Sequence, residues 1–111
     1  MDNIKGDKYF LKKIVEHIDF ILEKTDGMSL EQIKNNDVLI DSIMFRFIQI
    51  AEEAQELSSS FKDKTATLPW HQLNGIRNRI VHAYEIIRID IIYETITKDL
   101  KPFRDTLIQY L

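Results

Sequence analysis

An arginine, an amide, a histidine and a phenol fall within the eight residues Arg77-Asn78-Arg79-Ile80-Val81-His82-Ala83-Tyr84. The guanidinium of Arg77 can grip a phosphate through its fork of N–H donors. His82 can take or give a proton near neutral pH, because imidazole is the side chain whose ordinary pKa lies there. Asn78 stands four residues before His82, so on a helix it shares that face and can hydrogen-bond the ring. RNA suits such a set. Its 2′-hydroxyl supplies the nucleophile, so the protein need only hold the phosphate and move protons. That chemistry calls for no metal and no cofactor, in keeping with a chain that has no cysteine and no metal-ligand cluster in its sequence.

Helical spacing constrains this set. At about 100° per residue, Leu73, Ile76, Ile80 and Tyr84 share a core-facing stripe, and Arg77 falls inside it. A charge placed there must meet a carboxylate, reach a cleft or sit at a subunit seam. Glu52 and Glu53 are the candidate partners. Arg77 and His82 diverge by about 140° on a straight helix. Their convergence requires a swing of the arginine stem, a helix end near His82, or two copies of the chain. The plain structural alternative makes Arg77 an interior ion pair and His82 a C-terminal helix cap, where its charge would favour the dipole.

The elements that must position these groups are helical. Three glycines and two prolines in 111 residues leave long stretches without breakers. The first helix runs from about Asp7 to Thr25, with Leu11, Ile14, Val15, Ile18, Ile21 and Leu22 on one face. Asp26-Gly27 ends it. Ser29-Leu30-Glu31-Gln32 reads as a capping box opening a short turn. The second long helix runs from about Asp37 to Ser59. One of its stripes holds Leu39, Ile43, Phe47, Ile50, Ala54 and Leu57; another holds Met44, Phe45 and Ile48. That second stripe needs a cover from another helix of the chain or from a second subunit. Residues 58–65 read as a polar loop. A third helix starts at Leu68-Pro69-Trp70, runs to about Ala83 and carries the motif. A fourth runs from about Arg88 to the end, interrupted or kinked by Pro102. The fold class is all-α: one domain over residues 1–111, an antiparallel bundle of four main helices.

Other groups carry less. His17 faces away from the apolar stripe of its helix and reads as solvated; His71 reads as a surface residue beside Trp70. Trp70, Tyr9, Tyr93 and Tyr110 read as packing aromatics. Lys98, Lys101 and Arg104 form a mild basic patch, and Glu52, Glu53 and Glu56 an acidic edge. The net charge of −3 argues against generic, charge-driven nucleic-acid binding but leaves room for a local RNA site. The polar stretch Met1-Asp2-Asn3-Ile4-Lys5 has no apolar signal core, and no apolar run is long enough for a membrane span, so a cytoplasmic protein is expected.

The eight-residue stretch resembles the Arg-x-x-x-x-His-x-Tyr signature of HEPN-domain proteins, in particular their HepT-like branch. Trp70 ahead of Gly75-Ile76-Arg77-Asn78 is similar to that branch's lead-in. Ile50-Ala51-Glu52-Glu53-Ala54-Gln55-Glu56-Leu57-Ser58 resembles its second-helix signature. Ile89-Asp90, Glu94-Thr95-Ile96, Asp99-Leu100 and Pro102 resemble its C-terminal helix. The resemblance implies an all-α homodimer with paired motifs lining a cleft between subunits. It implies a metal-independent endoribonuclease acting as the toxin of a two-gene toxin–antitoxin system. The partner would be an MntA-type minimal nucleotidyltransferase antitoxin that transfers AMP to the motif tyrosine. Carried over, Arg77 and His82 would be catalytic, Asn78 and Glu52 supporting, and Tyr84 the adenylylated residue. Ala51 replaces the usual glycine, and Glu85-Ile86-Ile87-Arg88 replaces an aromatic-glycine turn after the tyrosine. Two alternatives remain: a non-catalytic subunit that binds a nucleotide or substrate for such a transferase, and a purely structural dimerisation module.

Overall fold

The structure, a computed structural model, describes residues 4–111; the extreme N-terminal residues 1–3 of the polar stretch lie outside the described residues. Every regular element among the described residues is helical. Helix α1 spans Ile4–Thr25, α2 Leu30–Lys34, α3 Asp37–Gln55, α4 Ser59–Lys64 and α5 Trp70–Ala83. A single 3₁₀ turn, Tyr84–Ile86, leads to α6, Ile89–Glu94; a π-helical segment, Thr95–Asp99, joins α6 to α7, Leu100–Ile108.

Apolar periodicity places the long helices. Leu11, Ile14, Ile18 and Ile21 of α1 are buried against Ile43, Phe47 and Ile50 of α3. Helix α1 also packs on α7, and α3 on α5. Local chemistry sets the ends. Thr25 Oγ1 donates to the Ile21 carbonyl at 2.7 Å, and Gly27 follows at φ 73°, where a side chain would be strained. The capping box of α2 is complete: the Gln32 amide donates to Ser29 Oγ at 3.2 Å and the Ser29 amide to Gln32 Oε1 at 2.8 Å. Asn36 caps α3 through the Leu39 amide at 3.0 Å.

Several expectations are corrected. Helix α3 ends at Gln55, and the stretch read as a polar loop contains α4. Ser58 caps α4 through the Phe61 amide at 3.2 Å, and Phe61 is buried. Ser58 also donates through its hydroxyl and its amide to the nearly buried Asp7 carboxylate, at 2.6 and 2.8 Å. One well-placed apolar residue behind a cap is enough to turn a polar string into a helix. The fourth helix is divided: the wide π turn precedes Pro102, which then falls in the first turn of α7, where a missing N–H is tolerated. The second stripe of α3 is only partly open. Met44 is covered within the chain beside Ile40, Tyr84 and Ile87, whereas Phe45 remains 55% exposed.

Trp70 packs edge-on against Phe103 at 5.3 Å, and its Nε1 donates to Thr65 Oγ1 at 3.1 Å. Tyr93 donates to the Met28 carbonyl at 3.0 Å, and Tyr110 meets Phe61 edge-on at 5.2 Å. Tyr9 departs from the packing reading and is exposed. His17 is half-buried rather than solvated: Arg46 Nη1 lies 3.1 Å from its Nδ1, and that guanidinium stacks on Phe20 at 3.8 Å. Burial first, then the Arg46 charge, pushes the His17 pKa down. No helix among the described residues is long and apolar enough to cross a membrane.

Candidate active site on helix α5

Helix α5 presents its apolar stripe, Leu73, Ile76 and Ile80, to the core. This fixes the rotation of the helix and with it the polar residues between those positions. Arg77 lies at the edge of the stripe, facing α3, with its side chain 27% exposed. Of the two carboxylates considered, Glu52 is the one it meets: Arg77 Nη2 donates to Glu52 Oε1 at 3.1 Å. Arg77 Nη1 donates to Asn78 Oδ1 at 3.1 Å. A guanidinium has five N–H donors, so each terminal nitrogen keeps one N–H beyond these bonds. Nε is enclosed and has no partner among the described residues. The group is therefore held in place from one side while part of its fork stays available to an oxyanion.

Asn78 does not hold the His82 ring. Its oxygen takes the charged donor of Arg77, a stronger bond than a neutral imidazole offers. His82 is exposed and has no hydrogen-bond partner among the described residues. It occupies the last turn of α5, one residue before the helix ends. The ending comes from Ala83, whose backbone leaves the helical region at φ −148°, ψ 39°. The motif histidine thus stands free at a helix C-terminus, about 140° around the axis from Arg77. Within one chain the structure groups Arg77, Glu52 and Asn78, and sets His82 apart from them.

That same ending decides the place of Tyr84. A continued helix would turn the phenol towards the core with Leu73, Ile76 and Ile80. Instead Tyr84 opens the 3₁₀ turn, is 42% exposed, and donates its hydroxyl to the carboxylate of Asp41 on α3. The hydrogen bond to Asp41, with some burial and the charges of Asp41 and Asp37, pushes the Tyr84 pKa up to about 12. Asp41 was not legible as a site residue: it lies 43 positions before the tyrosine and belongs to no motif.

Two grooves flank α5. On the α3 side, a groove is lined by Ala51, Gln55, Lys62, Trp70, His71 and Asn74. On the other side a mostly aliphatic cleft of about 340 Å³ is lined by Ile76, Ile80, Ile86, Ile87, Ile91 and Ile92, with Arg79 and Arg88 among its walls. Arg88 is paired with Asp90 at 2.7 Å, while Arg79 has no partner among the described residues. The basic patch near the C-terminus is not a free cationic surface. Arg104 bonds Asp19, Lys101 pairs with Asp105 at 3.2 Å, and Lys98 lies 3.6 Å from Glu94.

A family described as "Ribonuclease HepT-like" matches residues 14–110. The chain is 28% identical over 97 residues to the protein named "Putative RNase TTE0752" of Caldanaerobacter subterraneus subsp. tengcongensis, covering 87% of each chain. It is 22% identical over 96 residues to "Probable ribonuclease HepT" of Thermococcus cleftensis, covering 86% of this chain and 87% of that one. No solved structure matches. The family match spans all of α3, α5 and the Arg77–Tyr84 segment, and the chain therefore belongs to the HepT-like ribonuclease family, with the enzyme class of an endoribonuclease.

Proposed function

We propose that the chain is a metal-independent endoribonuclease toxin, in which Arg77 binds the scissile phosphate and His82 transfers the proton to or from the reacting oxygens. The observation that carries this reading is the half-satisfied fork of Arg77, anchored by Glu52 and Asn78, on the same helix as an unengaged histidine. An arginine serving only as an interior ion pair would face carboxylates with its whole fork. A histidine serving only as a cap would bond the last carbonyls of α5.

The divergence of Arg77 and His82 on one helix points to a homodimer, in which two copies of α5 combine their groups at a shared cleft. Exposed Phe45, Val81 and Ile86, at 55%, 48% and 79%, offer apolar surface for such an association. Tyr84 fits the role of the residue adenylylated by an MntA-type nucleotidyltransferase antitoxin. It is half-exposed and two positions from His82. A nucleotide there would add negative charge and bulk two positions from His82 and repel RNA. The working compartment on this reading is the cytoplasm, where the RNA and the partner are.

The test is cleavage of RNA in excess chelator by the chain purified without its partner, beside the His82→Ala chain. Cleavage by the first and a loss of about 100-fold or more in the second would support the assignment. Equal cleavage by both would remove His82 from the reaction. A folded chain that binds nucleotide through Arg77 but cuts no RNA would favour the binding-subunit alternative.

A further inference from the structure

Asp41 is an exposed carboxylate on α3 that accepts the Tyr84 hydroxyl; among the described residues it has no other hydrogen bond and no cationic partner. A solvent-exposed bond of this sort contributes only modestly to folding. It does, however, fix three things at once. It crosses 43 positions of sequence to pin the first residue of the turn that follows the motif. It aims the phenol proton at a base. It also does so on a side chain that stays 42% exposed. A nucleophile held by its proton on an exposed side chain is arranged for attack on an electrophile arriving from solvent.

We infer that Asp41 is the proton acceptor for the modification of Tyr84. This rests on the reading of Tyr84 as the acceptor of an adenylyl group. The phenol oxygen attacks the α-phosphorus of a nucleoside triphosphate brought by the transferase. The bond between oxygen and phosphorus forms, and the bond from the α-phosphorus to the oxygen bridging to the β-phosphate breaks. Pyrophosphate leaves with that oxygen and its electron pair. The phenol proton passes to the Asp41 carboxylate and from there to solvent. A phenol whose pKa is pushed up to about 12 stays protonated at neutral pH, so its oxygen reacts in the neutral form. The phenol proton becomes strongly acidic only as the new bond to phosphorus forms. A carboxylate already bonded to that proton takes it with no diffusion and no rearrangement. Asp37, one turn earlier on α3, adds negative charge near the phenol without bonding it.

The experiment is adenylyl transfer from ATP onto the purified chain by its transferase, followed by intact mass and mapped to the residue. The chains compared are wild type, Asp41→Asn, Asp41→Glu, Asp37→Asn and Tyr84→Phe. Asparagine keeps an oxygen that accepts the hydroxyl and holds Tyr84 in place, but it cannot take the proton. The expected result is a fall of about 100-fold in turnover for Asp41→Asn, at an unchanged half-saturating concentration of the chain. Partial recovery is expected in Asp41→Glu and near wild-type turnover in Asp37→Asn. Turnover in Asp41→Asn within about three-fold of wild type, well under the range of general-base catalysis, would overturn the assignment and leave Asp41 a mere anchor. Labelling of Tyr84→Phe equal to wild type would instead overturn the reading of Tyr84 itself, and the role of Asp41 with it.

Discussion

Arg77 is held rather than buried. Its partners, Glu52 on α3 and the adjacent Asn78, take one donor from each terminal nitrogen, and the planar fork keeps a geometry that a lysine cannot reproduce. Arg77→Lys keeps the charge but loses the paired donors, so RNA cleavage is expected to fall roughly 100-fold with little change in melting temperature. Undiminished cleavage by that variant would show that only charge is needed. Tyr84 offers a test of its anchor that needs no substrate. Its pKa is raised in the folded state, so the protonated phenol is favoured there. The stability from the contact with Asp41 is then fully present below the ordinary tyrosine value of about 10 and is lost as the pH rises through about 12. The difference in stability between wild type and Tyr84→Phe should persist up to about pH 10 and shrink above it. A difference independent of pH would mean that the hydroxyl is not engaged. Residue-scale reading of the sequence reached Arg77 with Glu52, because a charge on an apolar stripe demands a partner. It could not reach Asp41, since nothing local ties a lone aspartate to a phenol 43 positions away.

At the scale of elements, the ends of helices matter more than their middles. The departure of Ala83 from helical geometry frees His82 and swings Tyr84 from the core stripe to α3. Helices α1, α3 and α5 were legible because their apolar residues recur at helical spacing and their flanks carry Gly27, the Ser29–Gln32 box and Pro69. Helix α4 was not, since Ser58-Ser59-Ser60 and Lys62-Asp63-Lys64 outweigh one phenylalanine in any count of apolar residues. The π segment was not legible either. Pro102 signalled an interruption, but the widened turn lies upstream of it. Ser58 does two jobs, capping α4 and satisfying the Asp7 carboxylate. Ser58→Ala should therefore cost about 2 kcal/mol, more than a cap alone, measured by urea denaturation. A loss no larger than that of an ordinary surface substitution would mean that the hydroxyl contributes nothing through Asp7.

At the scale of the molecule, the core joins α1, α3, α5 and α7 into one cluster, and several large apolar side chains are left exposed outside it. Phe45 is the largest of these on α3. On the proposed homodimer, Phe45→Asp should leave the chain folded, with a melting temperature near that of wild type, while sedimentation shifts from dimer to monomer. A dimer that persists in this variant would place the seam elsewhere, for instance on Val81 and Ile86. The whole-chain reading recovered the helical class and the single core. In the second α3 stripe Met44 is buried within the chain, whereas Phe45 is exposed.

Helix α7 returns to the first helix: Leu107 is fully buried in the shared core, and Arg104 bonds Asp19 across 85 positions. Ribosomes deliver the chain from the other end, so during translation the face of α1 that α7 covers stays bare until the closing segment has emerged. Contacts this distant in sequence also form late, because the loop they close must be ordered first. A chain cut before α7 would lose the Phe103 ring that packs on Trp70 at the start of α5. Such a fragment would leave the core face of α1 bare and open to proteolysis.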